Sequence, residues 1–148
     1  MAFTGTSIVP QRVSAALAVL RVVVGIIFVA HGAQKLFTYG LAGVSGSFAG
    51  MGIPLPGITG PAVAFLEFFG GIALILGLLT RLAALGLAIN MLGAIFMVHL
   101  AAGFFMPQGY EFALALFGAS VALALAGAGE YSADAAIARR RDDAAGRF

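Results

Sequence analysis

Six side chains in this sequence have the chemistry to move protons or to hydrogen-bond a carbonyl ligand: His31, Lys35, Glu67, Asn90, His99 and Glu111. All of them fall inside or at the ends of long apolar runs, where a polar group must face the protein interior and find a partner. His31 and Lys35 are four residues apart and share a helix face. Glu67 precedes Gly70 and Gly71, which let a neighbouring helix approach closely beside the carboxylate. A carboxylate more than a turn deep in a membrane needs either a proton or a cation. His31 and Lys35 are the candidates at its level on the first helix. Plainer roles stand beside these: Lys35 snorkelling to the headgroups, Glu111 complementing a helix dipole, and Asn90 holding helices together.

The elements that carry these residues follow from composition. The chain has 148 residues, of which 61% are hydrophobic and 9% charged, with a mean hydropathy of +1.07. An ordinary soluble domain has about a quarter charged residues, so a soluble globular enzyme and a disordered chain are both excluded. There is no cysteine, which removes disulfides, thiol relays, Fe–S ligation and cysteine-based zinc sites. A bilayer crossing takes about 20 apolar residues, and four stretches qualify: 15–37, 61–79, 82–100 and 110–127. The expected fold is an all-α integral membrane protein, a four-transmembrane-helix bundle. It divides into an N-terminal segment 1–14, the transmembrane domain 15–127 and a basic tail 128–148.

Thr80-Arg81 is a tight turn between the second and third spans. Arg12, Arg81, Arg139, Arg140, Arg141 and Arg147 share one side, with Lys35 at the edge of the other. The positive-inside rule therefore places both termini in the cytoplasm. Basic residues crowded at the C-terminus suit a membrane surface better than nucleic acid. The outer connection 38–60 has seven glycines and two prolines among apolar residues, too greasy for a flexible linker. It reads as a Gly-rich outer loop folding back on the bundle, with a short interfacial helix. In the tail, Ser132 is an N-cap and Asp134 lies in the first turn of a short cytoplasmic helix, and the last residues are expected to be disordered. Arg21, alone in the inner half, is expected to pair with Asp134 and lock that helix to the bundle. A weak repeat, Phe28-Val29-Ala30-His31 and Phe96-Met97-Val98-His99, suggests two related hairpins.

Depth decides which groups can meet. At about 1.5 Å per residue, Glu67 lies ~4–5 Å outward of the mid-plane, His31 ~7 Å, Glu111 ~11 Å, His99 ~12 Å and Lys35 ~13 Å. Asn90 is near the middle. The expectation is a polar pocket opening outward, with His31 and Glu67 deeper, Lys35, His99 and Glu111 near its mouth, and Gln34 and Gln108 on the rim. No metal site is expected: H-x-x-x-H and E-x-x-H spacings are absent and Lys35 would compete. Haem ligation by His31 and His99 is disfavoured by their offset in depth.

Several runs together carry a family resemblance. They are Arg21-x-x-x-Gly25-x-x-Phe28-x-x-His31-Gly32-x-x-Lys35-Leu36, Phe48-Ala49-Gly50-Met51-Gly52-Ile53-Pro54 and Glu67-x-x-Gly70-Gly71. To these are added Asn90, His99, Gly109-Tyr110-Glu111 and Gly127-x-Gly129-x-Tyr131-Ser132-x-Asp134. The chain resembles the DoxX family over nearly its whole length, Glu130 being more acidic than the pattern suggests. The resemblance implies a small four-helix protein of a bacterial-type inner membrane. The family takes its name from a membrane subunit of a thiosulfate:quinone oxidoreductase. The function expected is therefore a membrane subunit of a redox complex rather than an independent enzyme. It would have no intrinsic cofactor, a quinone as the ligand of its outer pocket, and a larger complex or further copies of itself as partners in the bilayer. A non-catalytic assembly subunit and a small proton-coupled transporter are the alternatives. The inner half has no polar path apart from Arg21, which weighs against transport.

Overall fold

A computed structural model describes residues 8–146 of the chain. The expected disorder of the last residues, Arg147 included, lies outside the described residues, as does the start of the N-terminal segment. Helix α1 spans Ile8–Ala33 and runs on through a π-helical turn, Gln34–Tyr39, into α2, Gly40–Gly50. The chain changes direction at Gly40, whose φ of 69° lies in the left-handed region open to glycine. Helix α3 spans Pro56–Leu76 and α4 spans Thr80–Ala94. Helix α4 widens to a second π-turn, Ile95–His99, and tightens to a 3-10 turn, Leu100–Ala102. Helices α5, Glu111–Ala126, and α6, Ala133–Ala145, complete the chain, and there is no strand among the described residues.

Three helical runs, Pro10–Gly50, Pro56–Leu76 and Thr80–Ala102, are long and apolar enough to cross a bilayer, and Glu111–Ala126 is apolar but shorter. The protein is thus an all-helical membrane bundle. Helices suit this setting because they satisfy every backbone N–H and C=O internally where no water is present. The same pressure shapes the connection expected as an outer loop. Eleven of its residues form α2 despite their glycines, and Val44 buries against the start of α3, where a side chain at Gly60 would meet it.

The bundle is two hairpins. In the first, α1 and α3 touch backbone to backbone. A Cβ placed on Gly25 would lie 2.7 Å from the Gly71 carbonyl, one on Gly71 would lie 2.7 Å from the Gly25 carbonyl, and Gly32 sits against the Phe68 backbone. In hydrocarbon, close packing of small residues supplies the attraction that hydrophobic burial supplies in water. In the second hairpin, Leu87, Met91 and Ile95 of α4 pack on Ala113, Leu116 and Leu123 of α5. Val24 and Phe28 of α1 and Leu74 of α3 join that core. Outward-facing Val19, Ile26, Phe69, Leu82, Ile89 and Leu125 remain exposed for lipid.

The tail differs from expectation in its partners. Arg21 does not pair with Asp134. Its Nη1 donates to the carbonyls of Leu74 and Ile75, each at 3.3 Å, and its Nη2 donates to the carbonyl of Tyr131. The physical reason is the break at Gly77, φ 67°, which ends α3 and leaves the Leu74 carbonyl with only the Gly77 N–H, 3.2 Å away, and the Ile75 carbonyl without its helical donor. A buried guanidinium neutralises that negative helix end. Asp134 instead caps α4 from a distance: it accepts from the N–H of Leu79 at 2.8 Å and of Thr80 at 3.0 Å, while its own N–H donates to the Gly77 carbonyl at 2.9 Å. Ser132 caps α6, accepting from Ala135 N–H at 3.1 Å. The tail is therefore tied to the bundle, by two separate links rather than one ion pair. Asp134→Ala should lower stability by about 1–2 kcal/mol, the usual range for losing an N-cap. A detergent melt of that variant matching the parent would contradict the capping role.

Candidate functional site

The two π-turns set the geometry at the end of the bundle opposite the α3–α4 turn. A π-turn widens the helix and changes its phase, so Lys35, within the first π-turn, is rotated relative to His31 before it. Lys35 turns inward and its Nζ meets Glu67 Oε2 of α3 at 2.5 Å. Asn90 of α4 donates from Nδ2 to the other oxygen, Oε1, at 3.0 Å. Glu67 is 4% exposed, so both lone-pair faces of a buried carboxylate are occupied, by residues from two neighbouring helices. The Lys35 side chain retains 21% exposure. It has spent one of its three N–H groups on Glu67.

The other expected site residues lie elsewhere. His31 is exposed on the outer side of α1, with its ring 6.3 Å from that of Phe112 on α5. It is not among the groups bonded to Glu67. His99 and Glu111 hold the connection between α4 and α5. His99 Nδ1–H donates to the Gln108 carbonyl at 2.9 Å, and Glu111 accepts from the Met106 N–H at 2.6 Å. Gly109 fits this turn because a Cβ would strike the backbone of Phe104 and Phe105, and the Phe104 ring stacks edge-on against Phe105 and Tyr110. Gln34 and Gln108 are exposed. The single outward pocket expected from depth is thus resolved into a Lys35–Glu67–Asn90 cluster, a separate His31–Phe112 pair and a braced loop. Depth along a helix places residues at one level, but rotation decides which of them face each other. Among the described residues, no three His, Asp or Glu side chains converge.

Tyr131 and Gly77 act through backbone carbonyls, which side-chain types do not reveal. Gly77 itself is the local signal of the helix end there.

This arrangement can do two things. A lysine salt-bridged to a buried carboxylate, with N–H groups to spare, can bind an acceptor at the edge of the bundle. Glu67, bonded to both neighbours, also ties α1, α3 and α4 together at one level. The same cluster residues lie in the part of the chain where family similarity is found: residues 16–100 match the model of the DoxX family. The chain belongs to the DoxX family. Residues 62–146 also match the family model described as TQO small subunit DoxD. Among its relatives, this DoxX protein is similar to the proposed oxidoreductase CatD of Bacillus subtilis, 36% identical over 108 residues that cover 73% of this chain and 76% of CatD. It is also similar to the inner membrane protein YqjF of Escherichia coli, 36% identical over 122 residues, or 78% and 87% of the two chains. An uncharacterized membrane protein of Mycobacterium tuberculosis is 37% identical over 95 residues, covering 62% of this chain and 58% of that one. No solved structure matches the chain. The protein is a multi-pass membrane protein.

Proposed function

We propose that this DoxX protein is the membrane subunit of a redox complex in a bacterial inner membrane, with both termini in the cytoplasm. We further propose that its Lys35–Glu67–Asn90 cluster receives a quinone headgroup in the outer half of the bundle. The observation that carries this reading is the state of Lys35: anchored by a buried carboxylate, partly exposed, and with two N–H groups uncommitted. Phe37, two residues on in the same π-turn, offers an apolar surface to a flat ligand: it is 75% exposed and lies edge-on to Phe68 at 5.7 Å. A bound quinone supplies two-electron, two-proton redox chemistry. Lys35 donates to a carbonyl oxygen, Glu67 aims the Lys35 side chain, and Asn90 fixes Glu67 through its second oxygen. With no cysteine in the chain, the electrons come from a partner subunit.

The test is quinone content in the complex purified in mild detergent. Lys35→Met should lower bound quinone about tenfold, the worth of one charge-assisted hydrogen bond, while the complex still assembles. Unchanged quinone in an assembled Lys35→Met complex overturns the proposal. A second reading, a non-catalytic assembly subunit, is favoured by one observation: both Glu67 oxygens are satisfied within the bundle. It predicts the opposite split, with assembly lost and quinone per complex unchanged.

A further inference from the structure

The end of the bundle carrying the α3–α4 turn holds a feature with no part in the cluster described above. A shallow groove of about 450 Å³ lies between the start of α4 and the end of α5, lined by Leu79, Thr80, Arg81, Gly127 and Asp134 among others. Its two walls differ in charge. On one, Arg81 is exposed and lies across Gly127, where a Cβ would come 3.1 Å from its Nε. Among the described residues Arg81 has no ion-pair partner. On the other, at the start of α4, is the Asp134 carboxylate, which accepts from the Leu79 and Thr80 N–H groups and keeps lone pairs beyond those two bonds. Thr80 forms part of the wall with a fully buried hydroxyl that has no hydrogen-bond partner. Around the groove the surface is apolar: Leu79, Leu82 and Leu125 are 63%, 67% and 74% exposed.

We infer that this groove binds the headgroup of an ethanolamine phospholipid, its phosphodiester on Arg81 and its primary ammonium toward Asp134. The position decides for a lipid over a soluble phosphate. Helix ends mark the level where a bilayer passes from hydrocarbon to headgroups, and Leu82 and Leu125 give the acyl chains an apolar bed below the polar walls. The pairing of a cation without an ion-pair partner with a carboxylate decides for a zwitterion. A primary ammonium donates hydrogen bonds to the carboxylate oxygens, which a choline headgroup lacks the N–H groups to do. An anionic glycerol headgroup would satisfy Arg81 and leave Asp134 facing another negative charge.

The protein reconstituted in phosphatidylcholine nanodiscs, with equal small fractions of phosphatidylethanolamine and phosphatidylglycerol, supplies the test. Lipids retained per protein are counted by native mass spectrometry. Phosphatidylethanolamine should be retained about tenfold over either competitor. Arg81→Gln should abolish that preference and Arg139→Gln, on the exposed face of α6, should leave it intact. Retention of phosphatidylglycerol or phosphatidylcholine at the same level overturns the assignment, as does selectivity that survives in Arg81→Gln or the retention of no lipid. Excess soluble glycerophosphoethanolamine should not displace the lipid; equal displacement would assign the groove to a free phosphate and overturn the lipid reading. Selectivity of the unmodified protein needs no variant to fold.

Discussion

Glu67→Ala should destabilise the bundle by about 3 kcal/mol, the lower end of the range for removing one partner of a buried ion pair. The lower end applies because the Lys35 side chain keeps 21% exposure and can carry part of its charge toward the headgroups. The loss has two parts. The ammonium is left without its counter-charge, and Asn90 loses the acceptor that its Nδ2 reaches at 3.0 Å. A two-variant comparison separates this from loss of side-chain volume: adding Lys35→Met to Glu67→Ala should restore a substantial part of the stability, because the stranded cation is then gone. Unfolding followed by thermal melts or by titration with a denaturing detergent reads both. A Glu67→Ala protein as stable as the parent, or a double variant worse than the single, would remove the central role given to this ion pair.

The second large effect lies at adjacent glycines with opposite outcomes. Gly71→Ala should cost about 1–3 kcal/mol, the range for an overpacked contact, because its Cβ would sit 2.7 Å from the Gly25 carbonyl and from the Val29 N–H nitrogen. Both are backbone atoms of a helix, so α1 and α3 must move apart as whole units. That separation also draws Lys35 away from Glu67. Gly70→Ala should be neutral or slightly stabilising. Its Cβ would meet only the Leu87 side chain, at 3.3–3.5 Å, and alanine gains up to about 1 kcal/mol in helix propensity over glycine. Melts of the two single variants measure the contrast, and equal behaviour would show that the α1–α3 contact does not depend on glycine.

Much of this was legible from residue types. Apolar length marked the spans, because hydrocarbon thickness imposes it. The depth of Glu67 implied a cation, and Lys35 supplies it. Ser132 announced a cap. What sequence periodicity hides is rotation. His31 and Lys35 share a face on a straight α-helix, yet the π-turn beginning at Gln34 sends Lys35 to Glu67 and leaves His31 against Phe112. No residue pattern marks where a helix will widen. Arg21 departs from expectation for a related reason: a carboxylate is the expected partner of a buried cation, whereas the carbonyls at the end of α3 supply partial negative charge once Gly77 ends the helix. The short helix expected in the glycine-rich connection is α2, Gly40–Gly50; glycine weakens helices in water, and scarcity of water at a membrane reverses the balance.

The reach of Arg21 also orders the birth of the molecule. It belongs to α1, yet one of its guanidinium nitrogens is answered by the carbonyl of Tyr131, more than a hundred residues downstream. Until translation has passed that tyrosine, Nη2 of Arg21 lacks its acceptor, and the amides of Leu79 and Thr80 wait for Asp134. A nascent chain halted before these residues presents the cell's proteases with an open seam, and the segment bearing Tyr131 and Asp134 is the one that closes it.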